Sequence, residues 1–502
     1  MEDWSRGPRL PIAAGILAAS ITLWQWGGFH ATPVVYDESA YLLQAELLAS
    51  GHWSRPSPPL FAAFTQPAVL VTPVLAPKMP PGHALLLAPG VLLHLPGLVP
   101  ILLVGLTAAL LAILVRRFAG SGTAVIAVVL WVTQAGQGRW RGSYLSENTT
   151  TVLWLFGWWS LLRWRETRRG HWLLLLAAAT GWGAITRPLT MIAFAIPVAV
   201  IVIRDTMRNR TWPQFGAAVA VGVALLMIIP VQNTAILGKW NRSPLGLYTR
   251  QYLPFDKMGF GFDATPPLLA APPYFAAYDK EFVALHQEHQ LQALPRILAS
   301  RLRVAWNSNF ARWRLFLMPV MLLALVLLPR AAWLGVASTA LLYLGYLGYA
   351  HEAHWSVYYA EAMPVAAGVI AVGLAWLVGR GPDPGSRAEM GRVLIAIVIL
   401  LWATPDLRRW GTSSRGAQER FREFESEVAD IYAPPSLVFV RHAPGQDPHA
   451  SLVRNVANPA TAPVITAFDL GDSARAIVRA AYPARQAFIW DEATRRLTAD
   501  RP

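Results

Sequence analysis

Apolar runs long enough to cross a bilayer recur along the chain from residue 10 to residue 404. The first is Leu10 to Phe29. Others cover about 98–115, 122–138, 148–164, 172–186, 188–203, 213–231, 314–329, 331–349, 357–378 and 389–404. A crossing takes about 20 apolar residues, fewer where neighbours thin the membrane. The pattern therefore predicts about eleven membrane-spanning helices. The segment 83–95 is apolar but short and bounded by prolines, which predicts a re-entrant or interfacial helix. The first run is too long for a signal-peptide core and lacks a small-residue cleavage site, so it is expected to be retained.

Three polar stretches interrupt or follow these runs. Residues 30–82 and 232–313 are long connections, and long connections in compact proteins are usually functional. The second is rich in proline and aromatics and predicts an amphipathic helix around 278–303. The tail from 405 reads as a helix (414–431), a strand (Ser436–Arg441), a strand (Pro463–Phe468), a helix (472–482) and a strand (Gln486–Trp490). The expected architecture is mainly α: a polytopic helix bundle over 1–404 with interfacial helices on its outer face, and a small α/β domain over 405–502. No internal repeat, low-complexity run or inverted-repeat symmetry is apparent.

Composition supports the membrane reading. The 502 residues are 54% hydrophobic and only 14% charged, against about 25% charged in soluble domains. Many of the 22 tryptophans lie near the ends of apolar runs, where indole favours the interface. The net charge of +14 comes largely from arginines in short loops, not from a basic cluster on a soluble module, so nucleic acid is not an expected partner. Arg9, Arg116, Arg117, Arg163, Arg165, Arg204 and Arg330 fall on one side of the membrane if the N-terminus is cytoplasmic. The long connections and the tail then lie outside the cytoplasm. Cysteine is absent, which excludes disulfides and thiol chemistry.

Asp37 and Glu38 follow the first run directly, and charge beside a bilayer usually has a function. If 37–49 is helical, Asp37, Tyr41 and Gln44 share one face. A carboxylate there suits a base that takes a proton from an acceptor hydroxyl. The alternative is that both acids simply favour the helix N-terminus. Lys78 stands in Pro77-Lys78-Met79-Pro80-Pro81-Gly82-His83, a loop stiffened by prolines. A single fixed cation suits a phosphate; snorkelling to lipid headgroups is the alternative.

Arg139, Arg141 and Arg187 lie on the outer side, against the general trend, and are candidate phosphate ligands. Anchoring to anionic headgroups, or pairing of Arg141 with nearby Glu147, is the structural alternative. The turn His351-Glu352-Ala353-His354-Trp355-Ser356-Val357-Tyr358 joins two late runs. Its spacing is not that of a zinc helix, so hydrogen bonding of His351, His354 and Tyr358 to a sugar or phosphate is the preferred reading. Glycines in Asp256-Lys257-Met258-Gly259-Phe260-Gly261 permit close backbone approach.

The order of these features resembles the GT-C glycosyltransferases, and among them the family 39-like branch of protein O-mannosyltransferases and aminoarabinose transferases. Tyr36-Asp37-Glu38-Ser39-Ala40-Tyr41-Leu42-Leu43-Gln44-Ala45 and Lys78-Met79-Pro80-Pro81-Gly82-His83 carry the likeness, supported by Thr186-Arg187-Pro188 and the turn around His354. The resemblance implies a bacterial inner-membrane enzyme that moves a sugar from a polyprenyl-phosphate donor to a lipid, glycan or protein acceptor, with inversion. It implies Asp37 as base, Glu38 shaping the acceptor site, and Lys78 on the donor phosphate. Arg187 and the 351–358 turn would add donor contacts. The acid that aminoarabinose transferases carry before the lysine is replaced by Pro77, which argues against that particular sugar. No cofactor is expected; a divalent cation among Asp37, Glu38 and His354 is the alternative. A transporter of lipid-linked sugar and a non-catalytic assembly protein are the competing functions.

Overall fold

The computed structural model describes residues 7–134, 141–310, 314–379, 386–429, 435–443, 445 and 450–500. These form two compact units, each discontinuous in sequence. One gathers 1–29, 97–228 and 290–414; the other gathers 30–96, 229–289 and 415–502. The division does not follow the expected boundary at 404. The two long connections and the tail fold into one unit.

The first unit is a helix bundle. Helices Arg9–Trp26, Leu98–Ala119, Ser121–Val132, Glu147–Thr167, Gly170–Ala184, Pro188–Asn209, Trp212–Leu226, Arg314–Leu327, Trp333–Tyr346 and Ala362–Val378, with the start of Ser386–Ala429, coincide with the eleven predicted runs. Among the described residues, four helices are long and apolar enough to cross a membrane: Leu98–Ala119, Pro188–Asn209, Trp212–Leu237 and Arg387–Ala429. A fifth follows if Leu291–Phe310 and Leu315–Leu327 count as one bent span. The chain is thus a multi-pass membrane protein. The other helices on predicted runs are shorter or more polar.

Small residues let the helices approach closely, the usual device where lipid removes the hydrophobic drive to associate. A side chain on Gly15 would meet the Gly105 carbonyl oxygen at 3.0 Å, which joins Arg9–Trp26 to Leu98–Ala119. One on Gly373 would meet the Val320 carbonyl oxygen at 2.5 Å. Large apolar side chains such as Ile196, Val200, Val219 and Val223 stay exposed, as lipid-facing positions do.

The second unit is built around a four-stranded sheet. Strands β1 (Arg55–Pro56), β2 (Val69–Leu70) and β3 (Val74–Pro77) form a small antiparallel sheet in the first connection. Strands β4 (Ser436–Arg441), β5 (Val464–Phe468), β6 (Gln486–Asp491) and β7 (Arg496–Ala499) form the larger one, in the order β5-β4-β6-β7. Strand β4 runs parallel to β5 and β6, and β7 is antiparallel to β6. Alternation along β4 sends Leu437 and Phe439 to one face and Val438 and Val440 to the other. The first face packs on Leu43 and Leu47 of helix Tyr36–Ala49; the second packs on Phe421, Phe424 and Val428 of the last helix. Both faces are covered, as parallel sheets require.

Three expectations change in detail. The predicted helix 278–303 is two helices, Ala276–Glu288 and Leu294–Phe310. The run 389–404 and the helix 414–431 are one continuous helix, Ser386–Ala429, with Pro405 inside it. Strand β7 was not expected, because its residues are polar and mostly exposed at a sheet edge.

Candidate functional site

Helix Tyr36–Ala49 begins after Val35, whose extended backbone offers no side-chain cap. Glu38 takes that part. Its Oε2 accepts from the Val34 and Val35 amides at 2.8 and 3.2 Å, and the side chain is buried. Glu38 thus satisfies orphan donors at the helix start. Asp37, one residue earlier, is only half-buried.

Lys78 follows β3, and its amide donates to the Ala68 carbonyl at 2.9 Å. The next carbonyl, Met79 O, accepts from Gln44 Nε2 at 2.9 Å and from Gln232 Nε2 at 3.0 Å. The loop is therefore tied to the Asp37 helix and to the second connection. Lys78 Nζ lies 4.5 Å from the centroid of the Tyr248 ring, a cation–π contact. Among the described residues no carboxylate pairs with Lys78.

Tyr248 is the residue that sequence reading missed. It lies on helix Pro244–Tyr252, capped by Ser243, and its hydroxyl oxygen accepts from the Ala68 amide at 3.1 Å. Burial pushes its phenol well up, and Tyr252, Asp37 and Asp256 push it further. Asp37 is thus close enough to Tyr248 to act on it, while Lys78 rests on its ring. A second acid whose charge reaches Tyr248, Asp256, has His286 Nε2 at 3.5 Å from its Oδ1. The His286 Nδ1 donates to the Phe282 carbonyl at 2.8 Å. Tyr41 and His83 are buried in edge-to-face contact at 4.9 Å. The structure thus seats Lys78 on Tyr248 and packs Tyr41 and His83 as a pair, with the Asp37 charge felt at the Tyr248 phenol.

The helix bundle holds a separate polar cluster. Arg187 is buried, with Nη1 2.6 Å from Glu147 Oε1 and 3.8 Å from Glu361 Oε1. Its Nη2 donates to the Tyr346 hydroxyl at 3.0 Å, and Thr150 Oγ1 donates to Glu361. Glu147 therefore pairs with Arg187 and not with Arg141. Arg141 donates instead to the Trp131 and Val132 carbonyls at 2.6 and 2.5 Å, capping the end of helix Ser121–Val132. Arg139 lies outside the described residues.

The 351–358 turn divides by burial. His351 is buried: its Nδ1 donates to the Glu352 carbonyl at 2.9 Å, leaving Nε2 to accept from the Tyr359 hydroxyl at 3.0 Å. Arg301 binds the same turn through the Tyr346, Tyr349 and His351 carbonyls. Tyr358 packs on His351 at 4.5 Å, and His354 is exposed. Among the described residues, no three His, Asp or Glu side chains gather as a metal site.

Residues 83–232 match the family model described as dolichyl-phosphate-mannose-protein mannosyltransferase. Similar solved structures include two of one protein. One is ArnT from Cupriavidus metallidurans bound to undecaprenyl phosphate, at 14% identity and a TM-score of 0.47, covering 97% of this chain and 90% of that one. The other is the same protein in its apo state, at 14% identity and a TM-score of 0.45, covering 87% and 83%. No curated protein matches the chain. The matched stretch is 150 of the 502 residues, and it places the signature of a glycosyltransferase family within a multi-pass helical protein.

Proposed function

We propose that this chain moves a sugar from a polyprenyl-phosphate donor to an acceptor hydroxyl or amine, with inversion, at the outer face of a bacterial cytoplasmic membrane. The observation that carries the reading is the Lys78 ammonium, seated on the Tyr248 ring, with the Asp37 charge acting on the same phenol. Asp37 takes the acceptor proton as the acceptor atom attacks the anomeric carbon. The bond from that carbon to the phosphate oxygen breaks, and the phosphate leaves with the electron pair. The Lys78 ammonium offsets the charge that develops on it. Tyr248 keeps its proton, because its phenol is pushed up, so it holds the lysine without competing as base.

The test is transfer from a panel of radiolabelled polyprenyl-phosphate sugars into lipid, glycan and protein fractions. Label entering any fraction supports the reading. Donor binding without transfer to any fraction overturns it in favour of transport.

A further inference from the structure

The C-terminal segment holds the start of the Asp37 helix one backbone group at a time. Thr32 N donates to Gln418 Oε1 at 3.0 Å. Pro33 O accepts from Arg454 Nη2 at 2.5 Å. Val34 N and Val35 N donate to Glu38, and the charges of Glu425 and, less strongly, Glu38 lie within electrostatic reach of Arg454. Arg454 is itself fixed. Its amide donates to Thr466 Oγ1 on β5 at 2.9 Å, and its guanidinium lies 4.0 Å from the centroid of the Phe421 ring.

We propose that Arg454 is a positioning residue for Asp37, and that orienting this helix start is the role of the C-terminal sheet. Val35 provides no cap, so the direction of the first turn rests on Glu38 and on what holds residues 32–35. Without Arg454, Pro33 O loses its donor and the buried Glu38 carboxylate loses a cation that acts on it, which is costly. Asp37 then keeps its chemistry but loses its fixed direction. A misplacement of about 1 Å costs roughly 100-fold in rate. Lys78 is tied through Ala68 and through the Gln232 bond to Met79 as well as through Gln44 on the Asp37 helix, so donor Kd is expected to move far less than kcat.

The proposal rests on Asp37 as base and is tested with it. Full-length Arg454→Met, Arg454→Lys, Asp37→Asn and Arg485→Met are compared for kcat, donor Kd and folded fraction. Arg485 braces the Ser436 and Ala462 carbonyls within the sheet, away from residues 32–38, and controls for lost stability. Expected are a roughly 10- to 100-fold fall in kcat for Arg454→Met, donor Kd within about twofold, partial rescue by lysine, and normal kcat per folded molecule for Arg485→Met. Unchanged kcat in Arg454→Met, or an equal fall in Arg485→Met, overturns the positioning role while leaving an inactive Asp37→Asn as support for the base. An active Asp37→Asn overturns both. If Arg454→Met does not fold, Arg454→Gln decides: wild-type kcat with wild-type Kd contradicts the proposal.

Discussion

Lys78 Nζ rests 4.5 Å from the centre of the Tyr248 ring, which joins a loop and a helix far apart in the chain at one cation. The ring holds the ammonium without neutralising it, so the charge stays available to a phosphate. Tyr248→Phe keeps the ring and loses only the acceptor for the Ala68 amide. It is expected to leave donor affinity within about threefold and to cost about 1 kcal/mol of stability. Tyr248→Leu removes the ring and is expected to weaken donor binding by roughly 3- to 10-fold, the equivalent of about 1 kcal/mol. Isothermal titration with a polyprenyl-phosphate donor separates the two. Equal affinity in both variants would mean the ring does not place the lysine.

Arg187 is expected to act through stability. It is buried against Glu147 and Glu361, and removing it leaves two carboxylates without their cation. Arg187→Met should cost about 3–5 kcal/mol. Adding Glu147→Gln and Glu361→Gln should recover most of that loss. Thermal unfolding in detergent checks both steps, and no recovery in the triple variant would count against a charge origin.

Acid should loosen the C-terminal sheet. His442 Nδ1 is 2.9 Å from Glu492 Oε2, and its ring stacks on Tyr274 at 3.9 Å. Burial holds the imidazole below its usual value even beside that carboxylate. The unfolded chain therefore binds a proton that the folded chain resists. Stability present above about pH 6.5 is lost as pH falls through the lower folded value. Glu492, kept below the ordinary carboxylate range by His442 and Arg420 in spite of its burial, adds a second loss below about pH 4.3. The protection of the Ser436–Arg441 amides, taken relative to intrinsic exchange at each pH, should fall between pH 7 and 5, and His442→Gln should flatten that change. The same slope in the variant would assign it to another group.

The helices were legible because an apolar run announces itself locally, and each predicted run carries one. The tail's three main strands were legible for the same reason, through alternation in residues such as Leu437 to Val440. What crosses the chain was not. Pro405 and the shift to polar residues read as a domain boundary, yet backbone hydrogen bonding carries one helix through both. Asp37 and Lys78 stand in local motifs with recognisable chemistry. Tyr248 and Arg454 stand in none, and only folding brings them to Lys78 and Glu38. Nearness in sequence offered Arg141 as the alternative partner for Glu147, but Arg141 turns to helix-end carbonyls and Glu147 meets Arg187.

The most direct test of the central claim is transfer by wild type beside Asp37→Asn at matched expression and matched donor binding. Asparagine keeps the shape of aspartate and removes its capacity to take a proton. Asp37 as base predicts retained donor affinity with kcat lower by about 100-fold or more. Equal transfer by both proteins would contradict it and remove Asp37 from the chemistry.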